Sequence, residues 1–420
     1  MTKRVLIAML AAVLAWPMVC RADDAKLAPN DLLAIIGDSI TEQKMYSVYM
    51  EDYLLMCKPV EPIRVMQFGW GGETSWGYFA RMDNDTLRFH PTAATTFFGM
   101  NDGGYGPQNP QKRQHYYDNQ TAIVAALKKA GVRLIVVGAP DPVDITSFHR
   151  NPKDAEMYNQ TLADEGKVSA QVATEQGVGF ADVYNTLMDT MVKAKAKLGN
   201  DYLVCGPDGV HPFANGHLVI AYTFLKALGC DGNIGTITVD LAADQAKATD
   251  GHKIVSVKNG VVEVESTRYP FCFTGDPKDP NSTTGIIEFF PFNQDLNRFQ
   301  LVVTNAKSPK LKVTWGKSSK VYSSDDLAKG INLAAEFLDN PFSESFAKVE
   351  QAVRAQQNFE TPMIKGLIHE IPDFEQMMPD TKDPFEKIAV SAEAKDKSLS
   401  DAAAAAVTPV HYTITIEAAQ

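Results

Sequence analysis

Ser39 stands in GDSITEQ (37–43), and far along the chain Asp208 and His211 stand three residues apart in GPDGVHPFANGH (206–217). A serine hydroxyl is a weak nucleophile until a base takes its proton and a third group orients that base. An aspartate on a turn before His211 can accept from one imidazole nitrogen while the other faces outward. That fixes the tautomer and stabilises the cation formed during attack. The oxyanion so produced needs preorganised donors. Three are at hand: the Ser39 amide, a backbone amide aimed into the cleft by the turns that Gly69 and Gly72 permit in FGWGGETSWG (68–77), and the side-chain amide of Asn101 in FFGMNDGG (97–104).

Each residue taken alone has a plainer reading. A lone serine after an acid is a helix cap, a lone Asp208 a turn residue, and a lone Asn101 a loop cap. Asp38 is expected to brace its turn rather than to react. His217, six residues past His211, falls on another helix face and is assigned to surface or packing. His115 and His149 are isolated and read as solvated. No His/Cys/Asp cluster has metal-ligand spacing, so neither metal nor other cofactor is expected. GGETSWG lacks the GK[ST] ending of a phosphate loop.

The elements that must position these groups alternate. Apolar runs at 32–36, 63–68, 93–98, 133–139 and 177–183 read as strands, and helical periodicity appears at 46–56, 116–131, 154–177 and 213–228. Continuous apolar strands between helices imply a parallel sheet covered on both faces. Sites in such sheets lie beyond the carboxyl ends of the strands. Ser39, Gly69 to Gly72, Asn101 and the loop 140–152 all follow strand ends, so they should share one edge. After Cys230 the pattern becomes short alternating strands, with Asn259-Gly260 as a two-residue hairpin turn. Residues 235–318, including GIIEFFPF (285–292), FQLVVTNA (299–306) and KLKVTWG (310–316), read as an antiparallel β unit. From 342 a helix presents Phe346, Val349 and Val353 on one face. A loop-rich stretch carrying Pro372, Pro379 and Pro384 follows, then SAEAKDKSLSDAAAAA (391–406) as a mobile linker and VHYTITIE (410–417) as a returning strand.

Four blocks, GDSI at Ser39, GWGGET at Gly72, GMND at Asn101 and DGVHP at His211, occur in order over 32–228, about half the chain. In this the sequence resembles the SGNH (GDSL-type) hydrolase family. The resemblance implies a flavodoxin-like three-layer α/β/α fold with a parallel sheet, and a C-terminal β-rich unit and helical tail remain outside it. It implies Ser39 as nucleophile, His211 as base, Asp208 as orienting acid, and the Ser39 amide, Gly72 and Asn101 as oxyanion donors.

A length of 420 residues favours more than one domain. The division expected is a signal peptide 1–22, a catalytic domain 23–230, a β-rich accessory unit 231–340 and a helical, loop-rich segment 341–420. Lys3 and Arg4, the apolar run VLIAMLAAVLAW and Ala22 have the order of a secretory signal. An extracytoplasmic protein, periplasmic or released, with no integral membrane segment after processing is therefore expected. Four cysteines would remain, Cys57, Cys205, Cys230 and Cys272, allowing three disulfide pairings or buried free thiols. A net charge of −11 disfavours nucleic acid and anionic membrane as partners. The polar strand-end loops 101–118 and 140–152 carry scattered aromatics, among them Tyr105 and Phe148, and no apolar lid. They suit a glycan bearing a small acyl group such as acetyl. The alternatives are a lipase or lysophospholipase, or a non-catalytic glycan-binding protein.

Overall fold

Strands β1 (Asp31–Gly37), β2 (Ile63–Gly69), β3 (Ala93–Phe97), β4 (Leu134–Gly138) and β5 (Gly179–Ala181) form one parallel sheet in the computed structural model, which describes residues 26–419. The expected signal at 1–22 lies outside the described residues. Strand order is β2-β1-β3-β4-β5, the flavodoxin-like order, with the switch point beside β1 and β3. Gly37 is in register with both Gly69 and Phe97, and Phe97 with Gly138. The strands therefore end level, and the loops that follow them rise from one edge.

Between the strands run α1 (Ser39–Glu42), α2 (Tyr46–Asp52), α3 (Ser75–Asp85), α4 (Pro110–Lys129), α5 (Pro152–Gln176), α6 (Val183–Leu198) and α7 (Ala214–Ala227). Side chains alternate across the sheet, which makes three layers. Leu33 and Ile35 face a core that takes in α2, α6 and α7. Ala34 and Ile36 face one built from α3, α4 and α5. Helices α3 and α6 add to the four helical stretches expected from the sequence.

The second half corrects the expected antiparallel unit. Strands β6 (Asn233–Asp240), β7 (Gln245–Ala248), β8 (His252–Lys258), β9 (Val261–Ser266), β10 (Arg298–Thr304), β11 (Lys310–Trp315), β12 (Ser318–Ser323), β13 (Ile331–Asn332) and β14 (Val410–Ala418) divide into two sheets. One, ordered β13-β10-β6-β7, is mixed, because β10 lies parallel to β6. The long connection between them lets the chain return in the same direction. The other, ordered β12-β11-β14-β9-β8, is antiparallel, and β14 is the returning strand expected at 410–417. Asn259 and Gly260 join β8 to β9 as expected.

GIIEFFPF is not a strand. It runs irregularly into the short helix α8 (Phe292–Asp295) and buries Ile286, Phe290 and Phe292, with the Phe290 ring 5.1 Å from that of Tyr222. An apolar run marks burial, but it needs a pairing partner to become a strand. Two more short helices, α9 (Ser324–Lys329) and α10 (Leu333–Glu336), precede the tail. The tail itself is helical: α11 (Ser343–Met363), α12 (Ile371–Met377) and α13 (Lys382–Ala405). The loop-rich stretch and mobile linker are thus corrected. Alanine favours helix, and α13 buries Ala389, Asp396, Ser400 and Ala403. Phe346, Val349 and Val353 of α11 are buried as expected.

Where α11 and α13 meet α2 and β2, carboxyls are buried. Gln357 Nε2 donates to Glu51 at 2.7 Å, Gln67 N donates to Glu360 at 2.9 Å, and Arg64 lies 3.5 Å from Asp396. Burial pushes Glu51 up to about 8 and Asp396 up to about 6, and raises Glu360 as well. A carboxyl raised in the native state stabilises it while protonated there. For Glu51 that contribution is complete below its ordinary value of 4.5 and is lost as pH rises through about 8. Unfolding free energy should therefore fall between pH 6 and 9, and the fall should be shallower when Glu51 cannot titrate. Denaturant titrations of wild type and Glu51→Gln at both pH values check this. An equally steep fall in the variant would contradict it.

Candidate active site

The chain leaves β1 at Gly37 and turns at once into α1. The Ile40 amide donates to Asp38 Oδ1 at 2.9 Å, so Asp38 braces the turn as expected. Ser39 is the first residue of α1 and its amide has no intrahelical acceptor. The Ser39 hydroxyl donates to His211 Nε2 at 2.8 Å, across 172 residues of sequence.

His211 is held by its own turn. Asp208 Oδ1 accepts from the amides of Val210 (2.9 Å) and His211 (3.0 Å), and Asp208 Oδ2 accepts from His211 Nδ1 at 2.7 Å. With Nδ1 protonated, Nε2 is left to accept from the serine. Gly206 has φ +72°, and a Cβ there would lie 2.0 Å from the His211 carbonyl oxygen. Only glycine permits that closure. The loop after β4 backs the turn: the Asp144 amide donates to the Gly209 carbonyl at 2.9 Å and Ser147 Oγ to the Gly206 carbonyl at 3.1 Å. Burial raises the Asp208 carboxyl, but hydrogen bonds from the His211 side chain, its amide and the Val210 amide outweigh this and hold it below the usual range. Asp208 therefore stays ionised beside the imidazole.

The glycine loop and Asn101 lie around the serine. The Trp70 amide donates to the Gly37 carbonyl at 3.1 Å, which ties the loop to the end of β1. The Gly71 amide donates to Glu42 Oε2 at 2.5 Å. The Gly72 amide, at φ +75°, has no acceptor among the described residues. Gly71 is thus occupied and Gly72 is free to donate. Asn101 Nδ2 donates to the Glu73 carbonyl at 2.9 Å and reaches Asp38 Oδ2 at 3.3 Å. It lies between the neighbours of Ser39 and of Gly72. Asp102 accepts from the Ser75 amide at 2.9 Å and the Gly99 amide at 3.1 Å, which joins the Asn101 loop to the start of α3. Burial pushes Asp38 up to about 7, and the charges of Asp102 and Glu73 add to this. Burial also raises Asp141, with Asp38 and Asp208 adding to it.

The five residues singled out in the sequence fall as follows. Ser39, His211 and Asp208 form one hydrogen-bonded chain, and Gly72 and Asn101 stand on the two loops beside it. His217 is buried. Its Nδ1 accepts from the Tyr46 amide at 3.3 Å, its Nε2 donates to Gln43 Oε1 at 3.0 Å, and burial pushes it down to about 3, so it packs as a neutral ring. His115 and His149 are exposed. All four cysteines among the described residues are free and buried. No group of three or more His, Cys, Asp or Glu that could hold a metal occurs among the described residues. Glu42, Glu73, Asp102 and Asp141 escaped the sequence reading, since a lone acid in a loop carries no spacing signal.

Residues 35–219 match the model of the GDSL-like Lipase/Acylhydrolase family. Over 227 residues the chain is 26% identical to an acetylxylan esterase of Geobacillus stearothermophilus, a match covering 49% of this chain and 96% of that protein. A solved structure of a gut microbial diltiazem-metabolizing enzyme is 24% identical with a TM-score of 0.72, and the match covers 94% of this chain and 98% of that one. The fold likeness to that structure therefore runs through the β-rich and helical regions as well.

Proposed function

We propose, for a chain whose residues 35–219 belong to the GDSL-like lipase/acylhydrolase family, that Ser39, His211 and Asp208 hydrolyse small acyl esters, O-acetyl above all, carried on a carbohydrate. The observation that carries the reading is the unbroken chain from Ser39 Oγ through His211 to Asp208, with links of 2.8 and 2.7 Å.

In this mechanism His211 Nε2 takes the Ser39 proton as Oγ attacks the ester carbonyl. Asp208 holds the imidazolium that forms. The oxyanion is met by the amides of Ser39 and Gly72 and by Asn101 Nδ2. Collapse expels the sugar hydroxyl, protonated by His211, and leaves an acyl-serine. Water then repeats the sequence with His211 as base and releases the acid.

The substrate class rests on openness and on the relative. The triad is shallow, with the His211 and Asp208 side chains 36% and 50% exposed. Gly71, Gly72 and Tyr105 are exposed beside it. A long acyl chain needs an enclosed apolar channel, whereas a polymer with a short ester needs access. The acetylxylan esterase carries such chemistry by name. The same reading divides the chain at about 230 and 340 into catalytic, β-rich and helical parts, and places it outside the cytoplasm on the strength of Lys3, Arg4 and the apolar run after them. No described helix is long and apolar enough to cross a membrane.

Nitrophenyl acetate should be turned over at least about tenfold faster than the octanoate or palmitate, and acetylated xylan should release acetate. A preference for the long chains would favour a lipase and remove the carbohydrate reading. Fluorophosphonate labelling should modify Ser39, and an unlabelled serine would favour a binding protein.

A further inference from the structure

A single turn of the C-terminal tail reaches the glycine loop. After α11 the chain makes a π-helical turn, Ile364–Ile368, followed by His369. Met363, Ile364 and Ile368 are buried in the core shared by β2, α3 and α4, and the turn packs on α3, the helix that follows the glycine loop. Two polar arms leave it.

The first arm is Lys365. Its Nζ donates to Glu42 Oε1 at 2.7 Å, and Glu42 Oε2 accepts from the Gly71 amide at 2.5 Å. One carboxylate thus joins the helix that begins at Ser39, the residue before Gly72 and the tail. Without Lys365 the Glu42 carboxylate would lose its salt bridge beside the glycine loop, leaving Lys44, whose Nζ donates to the Glu42 carbonyl at 2.8 Å, as the nearby cation. The second arm is His369. Its Nδ1 lies 2.8 Å from Asp85 Oδ2, Asp85 pairs with Arg81 at 3.2 Å, and Arg81 Nε donates to Glu73 at 2.6 Å. Glu73 in turn supplies the carbonyl that accepts from Asn101 at 2.9 Å. Between the arms stands Trp70. The His369 ring meets it edge-on at 4.7 Å, and Arg81 and Lys365 lie 4.5 and 4.6 Å from its ring. Cations at such range are attracted by the indole face.

We infer that Lys365 and His369 are positioning residues that hold Gly72 and Asn101 in line with Ser39, so that the oxyanion site is completed by the C-terminal tail. This rests on the esterase reading above and assigns the tail a role in catalysis rather than in folding alone. A donor displaced by about an ångström loses much of its hold on the transition state. Ground-state binding is affected less, because the loop contacts the ester most strongly once charge has formed.

The test uses the full chain and nitrophenyl acetate. Lys365→Met should lower kcat by between about ten- and a hundredfold, with KM within about twofold. Lys365→Arg, which keeps the charge, should recover most of the rate. His369→Gln gives an independent reading of the second arm and should also lower kcat with KM held. Glu42→Gln should lower kcat as well, and the double variant with Lys365→Met should lose no more than the worse single, because both remove one linkage. Circular dichroism and thermal midpoints separate these losses from unfolding. If folded Lys365→Met and His369→Gln keep wild-type kcat while Ser39→Ala is inactive, the inference is overturned and the esterase reading stands. Turnover that survives Ser39→Ala would overturn both.

Discussion

Ser39→Ala and His211→Ala should each lower kcat on nitrophenyl acetate by about 10⁴-fold or more, and the double variant should be no slower than the worse single. The reason is geometric. The Ser39 hydroxyl has one acceptor suited to take its proton, His211 Nε2 at 2.8 Å, and the opposite ring nitrogen is committed to Asp208. With the base removed the hydroxyl returns to its ordinary weakness, and with the hydroxyl removed the base has nothing to activate. On the proposed mechanism either loss ends the covalent route, so the effects should not add. The fold should survive both changes. Ser39 sits at a helix start whose cap is Asp38, and the His211 turn is closed by backbone amides on Asp208 rather than by the imidazole alone. Steady-state kinetics with circular dichroism check this, and a variant with even a tenth of wild-type turnover would remove the triad from the mechanism.

Asn101→Ala should lower kcat by about 10²- to 10³-fold, the range for a lost oxyanion donor. Two acceptors hold the Asn101 side chain. Asn101 Nδ2 makes a normal bond to the Glu73 carbonyl at 2.9 Å and a long one to Asp38 at 3.3 Å. The first holds the amide in place, and on the proposed mechanism the longer bond to Asp38 is the one given up to the oxyanion. KM should move little, because a neutral ester carbonyl gains less from this donor than the tetrahedral anion does. Asn101→Asp should be at least as damaging, since it replaces a donor with a carboxylate beside Asp38. Full kcat in Asn101→Ala would mean that the two amides suffice and that Asn101 only ties the loop after β3 to Glu73.

The fold near the site was legible because its signals are local. Apolar runs of strand length, glycines at helix ends and the four ordered blocks each lie within a few residues of one another. They led to a parallel sheet with Ser39, Gly72 and Asn101 at one edge, and level strand ends at Gly37, Gly69 and Phe97 put those loops there. The Asp208 and His211 turn was legible for the same reason, since its three-residue span closes on its own amides. Where a run was locally ambiguous the reading failed. GIIEFFPF is apolar enough for a strand, yet only the surrounding rings decided that it packs without pairing. The polar, alanine-rich stretch before β14 reads as a linker, yet alanine's helix propensity and the seating of Asp396, Ser400 and Ala403 in the interior make it helix.

The sequence by itself determined the residue types that can do acyl chemistry, their order, and the βα elements that carry them, because propensity and spacing act over short stretches of chain. The tertiary structure alone decided which nitrogen of His211 meets Ser39, that Glu42 occupies Gly71 and leaves Gly72 free, that β10 lies parallel to β6, and that Lys365 and His369 come to rest beside Trp70. Those contacts join residues tens to hundreds of positions apart. They exist only once the burial of two shared cores has brought the segments together, and no local rule of the chain encodes that meeting.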